Sequence, residues 1–284
     1  MRTSARNTIH RTTLRLTILA GLASILLSPA SAIAKVTKIE SCSYTIHSAG
    51  MYRISDDLSC EGHGIIIKAS NVRLNGGHHR ISGTTGTGIS VKGPRTDVVI
   101  NNVLVQGFDT GIRVEGASDV LVMNATVEDS GLDGIDVLGS VDVTLRNVTA
   151  SGNGLNGLAL FDSSGVLVRT GGGYDLNGAD GIFVDEDSYD NVIHAVFARG
   201  NGNDGIEVDG DDNLLQANAA EENGAIGIRL AAGATDNVLL ANFALDNEKY
   251  DMADFNLPAC RNTWKSARFE TDNEGDGRKS GCIQ

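Results

Sequence analysis

Gly111-Ile112-Arg113-Val114 is followed 23 residues later by Gly134-Ile135-Asp136-Val137, and 23 later again by Gly157-Leu158-Ala159-Leu160. The same Gly-apolar-x-apolar tetrad opens at Gly64, Gly88, Gly181, Gly205 and Gly227, so the successive intervals run 24, 23, 23, 23, 24, 24 and 22. A second apolar stretch follows each tetrad, starting near Val72, Val98, Val120, Val143, Val166, Val192, Leu214 and Val238. A third, looser one comes next, as in Val103-Leu104-Val105. Three short alternating strands per repeat leave no room for a helix, and a pattern of constant polarity excludes a hairpin meander. The chain has to wind, each strand pairing in parallel with its equivalent one coil away, about 4.8 Å along the axis. The expected fold is all-β: a single-stranded, right-handed parallel β-helix of about nine coils.

Strand alternation sends both apolar residues of the tetrad inward and its middle residue outward. Stacking then builds inner columns such as Ile89, Ile112, Ile135, Leu158, Ile182, Ile206 and Ile228. Two asparagine columns mark the corners. One, four places after the start of the second strand, holds Asn102, Asn124, Asn147, Asn218 and Asn242, interrupted by Thr170 and Val196. The other precedes the tetrad: Asn153, Asn177, Asn201, Asn223 and Asn247. Stacked asparagines can bond their amides from coil to coil, and Asn or Asn-Gly tolerates the left-handed backbone of a sharp turn.

Arg2, Arg6, Arg11 and Arg15 precede an apolar run, Leu16 to Leu27, and small residues follow. That pattern is a secretory signal with cleavage after Ala32 or Ala34, and the run is short of the roughly 20 apolar residues of a membrane span. The expected organisation is a signal peptide over 1–34, an N-terminal cap over 35–62, repeats over 63–249 and a C-terminal cap over 250–284. The protein would be secreted or periplasmic, with no membrane span once cleaved, and a monomer. Residues 1–34 carry four Arg and no acid, so the remainder has a net charge of −17 against −13 for the whole chain. Such acidity argues against nucleic acid, whose phosphates are neutralised by Lys and Arg. All four cysteines lie near the ends of the exported portion, and in an oxidising compartment they read as two local disulfides, Cys42–Cys60 and Cys260–Cys282. Trp264 and Phe269 are placed to plug the last coil.

The tetrads, with Gly50-Met51-Tyr52-Arg53-Ile54 and the run from Asn71 to Gly83, resemble the parallel β-helix repeats of pectate-lyase-like proteins, polygalacturonases, uronan epimerases and NosD-type periplasmic proteins. The resemblance covers nearly all of the exported chain. It implies the fold, and only loosely a chemistry, because this fold hosts several reactions and pure scaffolds alike. Asp133-Gly134-Ile135-Asp136 is similar to a polygalacturonase motif, but the later Gly-His-Gly and Arg-Ile-Lys are missing. The epimerase Asp-Pro-His is absent too, the prolines being Pro29, Pro94 and Pro258. A copper role of the NosD kind would need His and Met to converge. His78 and His79 point to opposite faces, the Met are scattered, and His194 leans inward on this reading.

Related enzymes carry sugar chains along the outer face of the first strand. In this chain that face stacks Asp180 on Asp204 and Asp185 on Asp209, with Asp136 and Glu207 at exposed tetrad centres. Two carboxylates that close repel by roughly 3 kcal/mol at an effective dielectric near 20, which raises one pKa or recruits a cation. Asp180, Asp204, Glu207 and Asp136 are therefore the candidate acid–base residues, and Asp185 with Asp209 the candidate calcium ligands; no other cofactor is implied. The plainer alternative is that Asp before Gly is a turn residue. Phe161 and Phe183 would stack sugar rings, while Arg113 and Arg229, five coils apart, would hold a carboxylate of an acidic sugar. The expected function is binding or processing of a polysaccharide or cell-surface glycan, as a lyase or glycoside-hydrolase-like activity if any bond is broken. The alternative is a non-catalytic scaffold that binds other proteins.

Overall fold

A computed structural model describes residues 35–274 and 281–284, so the expected signal peptide lies outside the described residues. The chain winds as an all-β parallel solenoid. One sheet has ten strands, from Tyr44–Ile46 through Ile135–Leu138 and Ile206–Val208 to Tyr250–Asp254. A second sheet of 14 strands contains the second strand of every coil, and a third, of three strands, joins Phe197–Arg199, Ala219–Glu221 and Phe243–Leu245. All pairings are parallel, and the tetrads pair in the expected register, Ile112 with Ile135 and Ile135 with Leu158. Ten turns replace the expected nine because Tyr44–Ile46 and Tyr250–Asp254 add an outermost strand at each end. No helix of the described residues is long and apolar enough to cross a membrane.

The inner columns are dry. Ile89, Ile112, Ile135, Leu158, Ile182, Ile206 and Ile228 are fully buried, and the core ends on Trp264 and Phe269. The two disulfides form as expected. On the chain-entropy model each loop of this size contributes about 3 kcal/mol.

The asparagines before the tetrad form one buried ladder. Asn153, Asn177, Asn201 and Asn223 each donate from Nδ2 to Oδ1 of the next, at 2.9, 3.0, 2.9 and 2.8 Å, ending on Asn247. They are not left-handed; that conformation falls one residue earlier, at Gly152, Leu176, Gly200, Glu222 and Asp246. The ladder explains the tetrad glycine. A Cβ on Gly157 would lie 2.7 Å from Asn177 Nδ2 and 2.7 Å from Gly181 O, so it is space, not turn geometry, that excludes a side chain there.

The other expected asparagine column is two different features. Asn102, Asn124 and Asn147 are left-handed corner residues, with φ of 53°, 49° and 52°, and that column continues through Thr170, Ala195, Ala217 and Ala241. Asn218 and Asn242 lie one residue further on and are buried, taking the N–H of Val196 and of Asn218. The change occurs where long strands such as Ser118–Glu128 give way to pairs of short ones. A further buried ladder, Asn191, Asn213, Asn237 and Asn262, precedes the second strand of the later coils. It occupies the inward place that Val98 and Val120 fill earlier, so Val192, Leu214 and Val238 stand outward there. His194 is accordingly outward, paired with Arg169 and Gln216, and not inward as the sequence suggested.

Candidate functional site

On the outer face of the ten-stranded sheet the tetrad centres stack as Ser90, Arg113, Asp136, Ala159, Phe183, Glu207 and Arg229. Beside them runs a column in which each side chain caps the backbone of the next coil. Asp133 Oδ1 accepts from Asn156 N at 2.9 Å, Asn156 Oδ1 from Asp180 N at 3.0 Å, Asp180 Oδ1 from Asp204 N at 2.8 Å, and Asp204 Oδ1 from Ile226 N at 2.8 Å. The turn role of Asp180 and Asp204 is thus real. Asn156 performs it equally with an amide, so the ladder does not account for the charge at 180 and 204.

Those charges converge. Oxygens of Asp180, Asp204 and Glu207 lie within 4.8 Å of one another. Asp180 and Asp204 are buried and Glu207 is half-buried. Burial pushes the Asp204 carboxyl up to about 6, the Asp180 charge adds to this, and Arg229 and Lys249 oppose it. Burial also raises Asp180. Asp209 is raised by burial, then by Asp180, Glu186 and Asp185. Arg229 answers the cluster with ion pairs to Glu207, to Asp209 at 3.4 Å and to Asp204 at 3.9 Å, and its guanidinium lies 5.4 Å from the Phe255 ring. An open cleft of about 350 Å³ is lined by Asn203, Asp204, Glu207, Arg229, Lys249 and Phe255. Lys249 and Phe255 were invisible to the repeat because they flank the strand Tyr250–Asp254, beyond the last tetrad.

Phe161 and Phe183 meet as a half-exposed pair, ring centroids 5.7 Å apart and planes inclined by 56°. Phe183 is paired with Glu207, which sets this shelf one coil from the carboxylates. Asp185 and Asp209 are already engaged. Both oxygens of Asp185 take the Asp162 N–H, and Oδ1 also takes the Ser188 hydroxyl at 2.6 Å, while Asp209 leans to Arg229. The acids that converge are Asp180, Asp204 and Glu207 instead.

Asp136 and Arg113 stand apart from this group. Asp136 is not exposed: its side chain is 3% accessible and Oδ2 accepts from Arg113 Nε at 2.9 Å and Nη2 at 2.5 Å. Its Oδ1 is buried without a hydrogen-bond partner. Burial pushes this carboxyl up to about 6; the charge on Asp133 raises it further, whereas Arg113 opposes the shift. Neither Arg113 nor Arg229 is therefore free for a sugar carboxylate. Removing one member of a buried pair strands the other charge, which costs about 3–5 kcal/mol when both are dry. Since Arg113 is 35% accessible, Asp136→Ala is expected to lose about 2 kcal/mol in urea unfolding.

A family model described as the right handed beta helix region matches residues 25–169 and 87–244. A search of curated protein sequences finds no match. Among solved structures the chain is similar to the periplasmic alginate epimerase AlgG, at 14% identity over 79% of this chain and 75% of that one, with a TM-score of 0.56. It is also similar to the enzymatically active domain of tailspike protein 2 of bacteriophage CBA120, at 17% identity over 75% and 38% of the two chains and a TM-score of 0.58. The Dettilon tailspike protein matches at 15% identity over 75% and 48%, with a TM-score of 0.63. The chain thus spans less than half of either tailspike chain. At these identities the likeness is one of fold. With the family model lying over most of its length, this chain belongs to the right-handed β-helix family.

Proposed function

We propose that the protein is exported and, as a monomer, binds and processes a polysaccharide across the cleft of Asp204, Glu207 and Arg229, with Phe161 and Phe183 as the ring platform. The observation that carries this reading is the uncalled-for charge: two acids are buried where an amide serves the backbone equally well. Groups that cost stability without structural need are characteristic of working sites. Asp204, near 6, is mostly ionised at neutral pH yet close enough to it to take up and release a proton at Oδ2, while Oδ1 is fixed in the ladder. Glu207 supplies the second carboxylate. Carboxylate oxygens of the two residues lie within 4.8 Å, and Arg229 pairs with both. The two disulfides and the basic, then apolar, N-terminus support export.

The alginate epimerase that shares the fold is named for a polysaccharide. The sugar suited to this cleft differs in charge. Arg229 is consumed by three carboxylates, so a neutral or amino-bearing chain fits and a polyuronate does not. Phe183→Ala and Glu207→Gln should each weaken binding about tenfold, or about 1.4 kcal/mol, in calorimetric titration. Because Arg229 already supplies positive charge, a chelator should leave binding unaltered. The capping ladder favours a second reading, a pure scaffold, and that reading gains if no neutral or amino polysaccharide binds the intact protein.

A further inference from the structure

The outer face of the 14-stranded sheet is unlike the rest of this acidic molecule. Two columns of side chains point outward along it. One is largely aliphatic, with Val99, Leu121, Leu167, Val192, Leu214 and Val238 half-buried. The other has basic residues at its two ends, Lys38, Arg53 and Lys265, and at its centre, Arg146, Arg169 and His194, with neutral residues such as Asn101, Met123 and Leu240 between them. Neither column holds an Asp or Glu among the described residues, although the protein has 36 acids against 23 Lys and Arg.

The centre of the basic column is the informative part. Arg146, Arg169 and His194 pair directly on three successive coils, about 4.8 Å apart. Like groups placed opposite one another destabilise a sheet. Other exposed Arg of this chain are answered by a carboxylate: Arg73, in the aliphatic column of this same face, by Asp97, and Arg199 by Glu221. Among the described residues Arg146 and Arg169 are not, and the one polar contact is from Arg146 Nη2 to Met123 Sδ at 3.5 Å, a weak acceptor. Left-handed aspartates, Asp97 to Asp236, follow the corner beyond the aliphatic column. They are four residues from the basic one, about 13 Å along a strand, and the Debye length is about 8 Å at physiological salt. The basic stripe is therefore felt locally despite the net charge.

We propose that this face is a second binding surface, independent of the first-sheet cleft, and that its occupant is a linear anionic polysaccharide lying along the helix axis. At its centre the column repeats a basic group at the coil spacing over three successive coils, which suits a polymer with a carboxylate on successive units rather than one small anion. Its carboxylates would sit beside the stacked Arg146 and Arg169 and its ring faces against the aliphatic column.

The test is retention of the intact protein on immobilised polygalacturonate, at low and at physiological ionic strength. The wild type should be retained, less so at higher salt, and Arg146→Glu with Arg169→Glu should weaken retention at least tenfold. Lys68→Glu with Lys92→Glu makes the same change in net charge at exposed positions on the first-sheet side, and should alter retention less than twofold. Absence of wild-type retention, or equal losses in the two double variants, overturns the proposal. So does retention by phosphatidylglycerol vesicles in place of the polysaccharide, which would make the face a membrane surface. Self-association at low salt that the Arg reversals abolish would assign the face to a second copy and equally overturn it.

Discussion

Asn201→Leu is expected to lower the stability of the solenoid by about 4 kcal/mol, although the side chain has no part in the hydrophobic core. Its Oδ1 accepts from Asn177 N and Nδ2, each at 3.0 Å, and its Nδ2 donates to Tyr174 O and Asn223 Oδ1, each at 2.9 Å. Asn177 Nδ2 keeps a second acceptor in Ala150 O, and Asn223 Oδ1 keeps the Asn201 N–H. Asn177 N and Tyr174 O would be left buried and unpaired, at about 1–3 kcal/mol apiece. Asn124→Ala is the matched comparison. That corner residue is exposed, with Asn101 and Asn147 as its amide partners, so the change should cost about 1 kcal/mol, chiefly for an Ala held at left-handed φ. Urea midpoints measure both, and equal losses would mean that the two asparagine classes are not distinct.

Asp204→Asn should do the reverse and stabilise the protein by about 2–3 kcal/mol at pH 7 while abolishing the function of the cleft. The amide keeps the bond to Ile226 N and removes a buried charge. The pH dependence follows from the raised pKa. An unfolded Asp titrates near 3.9 and folded Asp204 near 6, so between those values the folded state holds more protons. The contribution of Asp204 therefore becomes less favourable as pH rises from about 4 to about 6 and is level above that. The advantage of Asp204→Asn should shrink towards zero by about pH 4. Thermal melts of the two proteins across this range read the difference directly, as the effect of Asp204 together with its coupling to Asp180. A variant that is less stable at pH 7 would show that the carboxylate is structural.

The winding was legible because the tetrad repeats the same inward pair at nearly constant spacing, and one coil's register then dictates the next. The disulfides were legible for a similar reason: each joins neighbours near one end of the chain. The asparagine corners were only half legible. A spacing count places Asn102 and Asn218 alike, yet one is a left-handed corner and the other a buried amide one residue later, and only the break of the long strands separates them. Asp136 was misread for a related reason. Alternation correctly sends it outward, but says nothing of Arg113 on the neighbouring coil, which closes over it through Oδ2. The cleft fared in between. Asp180, Asp204 and Glu207 are brought together as their stacking suggested, whereas Arg229 turned out to be their counter-ion and Phe255 lies outside the repeat.

Hydrogen exchange of the intact protein, with and without a saturating neutral or amino-bearing polysaccharide, locates the bound sugar by residue and so decides whether the first-sheet cleft holds it. Added protection is expected in the first-sheet strands Leu158–Phe161, Ile182–Val184, Ile206–Val208 and Ile226–Leu230, with the second-sheet strands Leu167–Arg169 and Val192–His194 unchanged. Protection confined to those second-sheet strands, or none on any strand with sugars that demonstrably bind, would contradict that expectation.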